Sequence, residues 1–239
     1  MLVTNFRFKY VMYRIVCAAY QLLDVGRIHP VRERALRALQ DTVDYIDEAM
    51  PDAIGFETQK EVTEYSLAQC KAEGHYLEFG VFTGGTMRFM AKRLPGKTFH
   101  GFDSFQGLPE DWGGFSIDAT AFDVKGRLPS VPSNVRLHPG WFDQSLPKWI
   151  ADNRGPVAFM HIDCDLYSST KTIFELLAER LQAGTIILFD EYFNYPGWRR
   201  HEYKAFKEFV AARGIEYEYL AYARQQVTVR IKAVPTARA

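Results

Sequence analysis

Two carboxylates, Asp163 and Asp165, stand with one residue between them in HIDCDLYSST (161–170), directly after the apolar run PVAFM. An acid at the end of a buried strand is costly unless something compensates it. Asp163, at the strand end, reads as a site residue, and Asp165 is taken to point to the opposite face, as the cap or first-turn acid of the helix that follows. The competing reading of the pair is a metal–diphosphate clamp. A second acidic pair, Asp190 and Glu191 in LFDEY, ends the apolar run TIILF. Consecutive strands usually lie side by side, so Asp163, Asp190 and Glu191 are expected to converge. Three converging carboxylates repel one another unless a cation neutralises them. An all-oxygen set suits Mg²⁺, or another divalent ion such as Ca²⁺ or Mn²⁺. Such an ion would bind a hydroxyl and lower its pKa.

A glycine turn in LEFGVFTGGT (77–86) supplies a second kind of chemistry. Gly80 permits a tight turn, while Gly84 and Gly85 let a ligand lie against bare backbone. A helix starting near Thr86 points its free N–H groups at the same spot. The spacing is G-x-x-x-G-G, not the G-x-G-x-x-G of dinucleotide folds, so a pyrophosphate is not the expected guest. Glu78 would repel phosphate and attract an ammonium group. About 20 residues on, Asp103 in GFDSF ends a second strand, where an acid can accept both hydroxyls of a ribose. A nucleoside carrying an amino acid in place of a phosphate satisfies both acids, and S-adenosylmethionine is such a molecule.

Other side chains are candidates of a weaker kind. His138, just before PGWF at a strand end, is the candidate free base. His161 shares a strand face with Asp163 but reads as a satisfied core histidine. Tyr192, Trp198 and Arg199 follow the second acidic pair and could line an acceptor pocket; a loop anchored by Trp198 is the plainer alternative. Cys17, Cys70 and Cys164 show no metal-type spacing and no disulfide framework, which suits a reducing, cytoplasmic compartment.

These residues need a scaffold that brings strand ends together. From Tyr76 to Gly214 apolar runs of strand length alternate with helical patterns, which indicates an α/β fold with a doubly wound, mostly parallel, Rossmann-like sheet. IEYEYLAYA and QQVTVRIK alternate as strands and close the chain with an antiparallel hairpin at one edge. Residues 1–52 read as a helical N-terminal extension for lid or subunit contacts, and residues 53–239 as the domain that carries the motifs. FRFKYVMYRIVCAAYQLLD echoes a signal peptide, but Arg14 interrupts an apolar run far shorter than the roughly 20 residues of a spanning helix, so an amphipathic helix is expected there. The tail AVPTARA is expected to fray.

Composition narrows the partners. Hydrophobic residues make up 47% of the 239, and 29 Lys plus Arg balance 29 Asp plus Glu. Zero net charge argues against a nucleic-acid partner, which needs a basic surplus or patch.

Taken together, LEFGVFTGGT, GFDSFQGLP, HPGWF, HIDCDLYSST and FDEY follow the order and spacing of the macrocin O-methyltransferase family, which the chain resembles from about Glu57 to Phe209. The resemblance implies a class I, S-adenosylmethionine-dependent, Mg²⁺-assisted enzyme that methylates a sugar hydroxyl. It implies that Glu78, Phe79, Gly80, Val81, Gly84, Gly85 and Thr86 form the loop at the methionine end of the cofactor. Asp103 falls on the ribose-binding acid, with Ser104 beside it, and Trp141 and Phe142 fall near the adenine. Asp163, Asp190 and Glu191 fall on metal positions. Asp163, with His138 as a possible base, would carry catalysis, and Tyr192 and Trp198 would face the acceptor. A homo-oligomer is expected. Two departures stand out: Cys164 replaces a common glycine and Glu191 a common aspartate, and residues 1–50 match no motif of the family. Rival readings are a methyltransferase for catechols or phenols, a metal-dependent glycosyltransferase using Asp163-Cys164-Asp165, and a non-catalytic cofactor-binding protein.

Overall fold

The computed structural model describes residues 11–15, 29–112 and 118–235. The chain divides into two compact units, residues 1–37 and 38–239. In the first, residues 11–15 are helical, while the rest of the amphipathic helix expected around them, with Cys17, lies outside the described residues. Helix α1, Pro30–Ala49, begins in this unit with proline in its first turn, where the missing N–H costs nothing. Its later part belongs to the second unit, where Tyr45 is buried in the core. The second unit thus includes residues 38–52, which sequence alone assigns to the extension. Of the C-terminal tail, residues 236–239 lie outside the described residues.

The second unit is built on one eight-stranded sheet. In chain order its strands are β1 Ile54–Gly55, β2 His75–Phe79, β3 Phe99–Asp103, β4 Val135–Pro139, β5 Val157–Ile162, β6 Ile186–Phe189, β7 Glu216–Tyr222 and β8 Val227–Ala233. The spatial order is β1-β7-β8-β6-β5-β2-β3-β4. Only β8 runs antiparallel to its neighbours. The chain winds outward from β2 through β3 to β4, then returns to build β5 and β6 on the other side of β2. The sheet therefore has its topological switch between β2 and β5, where open α/β sheets bind ligands. The expected hairpin is present, and the two-residue β1 extends the sheet beyond it.

Helices α2 Gln59–Gln69, α3 Gly85–Arg93, α4 Phe142–Asp152, α5 Tyr167–Leu177 and α6 Glu202–Arg213 cover the sheet. α2 starts where its sequence dictates: the Thr58 hydroxyl accepts from the Glu61 backbone N–H, and the Glu61 carboxylate accepts from the Thr58 N–H, a reciprocal capping box. The two-residue period of the strands sorts the core. Leu77, Phe79, Phe102, Ile162 and Phe189 pack on one face, and Tyr76, Phe99, Phe159, Ile186 and Leu188 on the other. All six residues of β5 are buried, as expected of a central parallel strand covered on both faces.

Past the ladder, single backbone hydrogen bonds keep the strand tips in line. Gly80 N–H donates to Phe102 O at 3.0 Å, Asp163 N–H to Phe79 O at 2.9 Å, and Asp190 N–H to Ile162 O at 2.8 Å. Gly80 sits at the switch with φ +92°, and a Cβ there would lie 1.6 Å from the carbonyl oxygen of Asp163. Gly80→Ala is therefore expected to cost at least ~3 kcal/mol, the sum of left-handed strain and a backbone clash. Gly85, with open space around its Cα, serves as the control, and Gly85→Ala should be neutral or slightly stabilising. Urea denaturation of both variants checks this, and equal midpoints would contradict the tight approach at Gly80.

Candidate active site

The loop after β2 is folded by an acid from the neighbouring strand. Asp103 Oδ2 accepts from the backbone N–H groups of Val81 and Phe82, each at 2.7 Å, and Oδ1 accepts from Phe105 N–H at 2.6 Å. A carboxylate has about four acceptor positions, so Asp103 keeps capacity for a ligand hydroxyl. Gly84, at φ +77°, then turns the chain into α3.

Beyond this loop opens a cavity of about 670 Å³, within the range of small-molecule sites. Gly80, Asp103 and Ser104 line it beside the switch. Phe82, Trp112, Phe122, Trp141 and Phe142 give it aromatic walls, and Ser168, Ser169 and Thr172 of α5 add hydroxyl-bearing side chains. Asp163, Asp165 and Glu191 also face into it.

The acids form two overlapping groups. Carboxylate oxygens of Asp163, Asp165 and Glu191 lie within 4.8 Å of one another, and so do ligand atoms of His161, Asp163 and Asp190. At that separation each pair of like charges repels by about 3 kcal/mol at an effective dielectric near 20. Burial, reinforced by Asp190, pushes the Asp163 carboxyl well above its ordinary range. Burial and the same neighbour lift Asp165 to about 7. Glu191 is raised in the same way, by burial and then by Asp190 and Asp163. Its Oε2 is buried without a hydrogen-bond partner. A cluster of hard oxygen donors with an orphaned oxygen, opening onto a cavity, fits a divalent cation of the Mg²⁺ or Ca²⁺ kind.

Asp190 is held differently. Its burial is outweighed by hydrogen bonding and charge from His161, Gln59 and Glu191, so its carboxyl stays below the ordinary value. Gln59 of α2 donates to Asp190 Oδ1, and the Gln226 amide approaches the same oxygen at 3.3 Å. His161, fully buried, lies between two acids: Nδ1 is 3.0 Å from Glu78 Oε1 and Nε2 is 3.6 Å from Asp190 Oδ1. Burial would depress the imidazole, but Asp190 and Glu78 hold it well above its ordinary value. A line of charge, acid to imidazole to acid, thus crosses β2, β5 and β6.

The chain is similar to known proteins in sequence and in fold. Residues 77–192 match a family described as a methyltransferase domain. The chain is 32% identical over 145 residues to the 8-demethyl-8-(2,3-dimethoxy-alpha-L-rhamnosyl)-tetracenomycin-C 4'-O-methyltransferase of Streptomyces olivaceus, covering 50% of this chain and 53% of that one. It is 28% identical over 149 residues to the demethyldecarbamoylnovobiocin O-methyltransferase of Streptomyces niveus, covering 52% and 54%. The chain thus spans about half the length of the curated relatives it matches. Among solved structures, the calicheamicin methyltransferase CalS11 superposes with a TM-score of 0.64 at 20% identity, over 86% of this chain and 98% of that one. The O-methyltransferase NovP gives 0.55 at 24%, over 73% and 79%. The fold is that of a class I methyltransferase. The resemblance read from the five motifs holds, since the curated relatives are O-methyltransferases.

Within this methyltransferase fold the expected site residues separate into two sets. Gly80, Asp103, Ser104, Trp141, Phe142, Asp163 and Glu191 line the cavity. Phe79 and Val81 are core residues, and Gly84, Gly85 and Thr86 shape the start of α3 without lining it. Glu78 is 1% exposed, not an open receptor for an ammonium group; its Oε1 faces His161, and only Oε2 is left without a partner. His161 is buried as expected, but paired with acids.

Three expectations are corrected. His138 does not reach the cavity: its ring stacks on Phe102 at 4.7 Å and its Nε2 lies 3.0 Å from His100 Nδ1, because its parity on β4 turns it toward α4. Burial lowers its pKa. Tyr192 and Trp198 do not face an acceptor. They are 0% and 1% exposed and pack with Tyr45, Tyr203 and Tyr219 in an aromatic cluster under α1 and α6. Asp165 caps nothing, for α5 has no side-chain cap and begins after Leu166. At φ +66° it turns back into the acid cluster. Its spacing of two from Asp163 is the one that keeps side chains on one strand face, and aspartate tolerates the left-handed region, so both signals were available. Trp112 and Phe82 carry no periodic signal that marks them as lining.

If Trp198 is an anchor, Trp198→Ala should lower the unfolding free energy by about 3–5 kcal/mol. A variant with wild-type stability in chemical denaturation would return Trp198 to the surface of the site.

Proposed function

We propose that this protein transfers a methyl group from S-adenosylmethionine to a hydroxyl of a sugar or glycosylated small molecule, assisted by a divalent metal ion. The observation that carries the reading is the single cavity lined at once by Asp103, at the ribose-binding position of the fold, and by the acids at the ends of β5 and β6. The sugar in the acceptor is supported by one named relative, whose substrate name carries a rhamnosyl group.

The chain's residues act mainly by alignment. Gly80 lets the donor approach bare backbone, Asp103 is offered to the ribose hydroxyls, and Trp141 and Phe142 give a flat apolar surface for the base. The acceptor oxygen attacks the methyl carbon in line as the carbon–sulfur bond breaks, giving the ether and S-adenosylhomocysteine. Holding both reactants in this order is worth several kcal/mol of barrier. A divalent ion held by Asp163 and Glu191, with Asp190 behind them, would lower the pKa of the acceptor hydroxyl. The hydroxyl proton leaves toward Asp165, the cavity-facing carboxylate in the place that sequence assigned to a helix cap.

The reading extends to a homo-oligomer, which the exposed apolar side chains Leu39 and Val43 on α1 favour. It places the enzyme in the cytoplasm, where the free thiols of Cys70 and Cys164 persist. Among the described residues no helix is long and apolar enough to cross a membrane.

Incubation with S-adenosylmethionine and a panel of sugar, glycoside and catechol acceptors, read by mass spectrometry, is expected to show gain of one methyl on a sugar hydroxyl. Methylation of catechols alone would overturn the acceptor class. A chelator should abolish the activity and Mg²⁺ restore it; a rate indifferent to both would remove the metal. Asp103→Ala is expected to weaken S-adenosylhomocysteine binding about 10- to 100-fold, as for a lost hydrogen bond to a charged group. Unchanged heat in calorimetry would take Asp103 out of the site.

A further inference from the structure

One carboxylate behind the cavity has no part in the reaction as described. Glu202, the first residue of α6, has 0% exposure. An acid at a helix start is favoured by the helix dipole, but normally in solvent. Here it points inward, and among the described residues no ion pair compensates it. Its two oxygens divide their work. Oε1 accepts from the Cys164 N–H at 3.4 Å, and Oε2 accepts from the Glu191 N–H at 3.2 Å.

Those two N–H groups belong to different loops. Cys164 lies between Asp163 and Asp165 after β5, and Glu191 follows Asp190 after β6. Both loops have left the sheet, so neither N–H has a ladder partner. β5 and β6 fix the loops from below through Asp190 N–H to Ile162 O. Glu202 is a second tie between them, reaching from α6. With both ties made, the loop that carries Asp163 and Asp165 is held to the loop that carries Glu191 at two points, one in the sheet and one through Glu202.

We propose that Glu202 is a positioning residue that clamps the loops after β5 and β6 and so sets the affinity of the acid cluster for a divalent cation. The proposal rests on the metal reading above. Partners one step behind the ligands of a metal typically change its affinity 10- to 100-fold when removed.

Calorimetric titration of Mg²⁺ and of Mn²⁺ into the wild-type protein, E202Q and E202D tests it, with S-adenosylhomocysteine affinity and circular dichroism measured on each. E202Q replaces one accepting oxygen with an amide that cannot accept. E202D keeps the charge but is one methylene too short to bridge both loops. Both variants should bind metal at least tenfold more weakly, with S-adenosylhomocysteine affinity within twofold of wild type. Wild-type metal affinity in E202D, with loss only in E202Q, would reduce Glu202 to a source of negative charge and overturn the clamp. Unchanged affinity in both folded variants, or failure of both to fold, overturns it as well. If wild-type protein binds neither ion, the metal reading itself falls and the clamp with it.

Discussion

The site depends on how closely two strand ends approach at the switch of the sheet. Gly80 passes the carbonyl of Asp163 at a distance no side chain could share. That approach lets the hydrogen bonds from Gly80 to Phe102, Asp163 to Phe79 and Asp190 to Ile162 continue the sheet one residue past its end. In consequence Asp103, Gly80, Asp163 and Asp190 stand in one row across β3, β2, β5 and β6. A widened switch would separate Asp103 from the acid cluster, and the two would no longer line one cavity.

The row concentrates negative charge, and the protein answers it on one face only. On the side of α2, His161 sits between Glu78 and Asp190, and two glutamine amides approach Asp190. There Asp190 is matched by hydrogen bonds and an imidazole, while burial holds Glu78 above its ordinary range. On the cavity side, burial outweighs the pull of His161 on Asp163 and the hydrogen bond between Asp165 and Glu191, and it drives all three acids toward the neutral form. A buried charge is tolerated when it is paired, and three acids crowded at the edge of a cavity offer the hard oxygen donors that fit a cation. The same asymmetry explains why Glu78, which the motif presents as a ligand group, is turned into the sheet.

The aromatic residues divide between two tasks. Trp141, Phe142, Phe82 and Trp112 wall the cavity. Tyr192, Trp198, Tyr203 and Tyr219 gather with Tyr45 of α1 into a packed cluster in which three phenol groups are hydrogen-bonded in a chain: Tyr45 to Tyr219 to Tyr192, each at 2.6 Å. That cluster secures the segment between β6 and α6, which carries Glu191 at one end and Glu202 at the other. Aromatic residues near a motif thus serve the site here by fixing the chain behind it.

Much of this was legible in the order of residues. Alternating apolar runs and helical patterns give the wound sheet, because burial of a period-two or period-3.6 stripe leaves few other architectures. Acids and glycines at the ends of those runs mark the ligand end of the sheet, so Gly80, Asp103, Asp163 and Glu191 follow from local pattern alone. Direction was another matter. Which way His138 faces depends on its pairing with β3 and the helix laid over it, and no property of HPGW states that. Asp165 enters the cluster through one left-handed residue after the strand has ended. Glu202 meets Cys164 and Glu191 across 38 and 11 residues of chain. Local sequence determines which residues reach the tips of the strands; only packing between distant segments decides which of them face the cavity, because side-chain direction beyond a strand end is set by contacts the chain makes elsewhere.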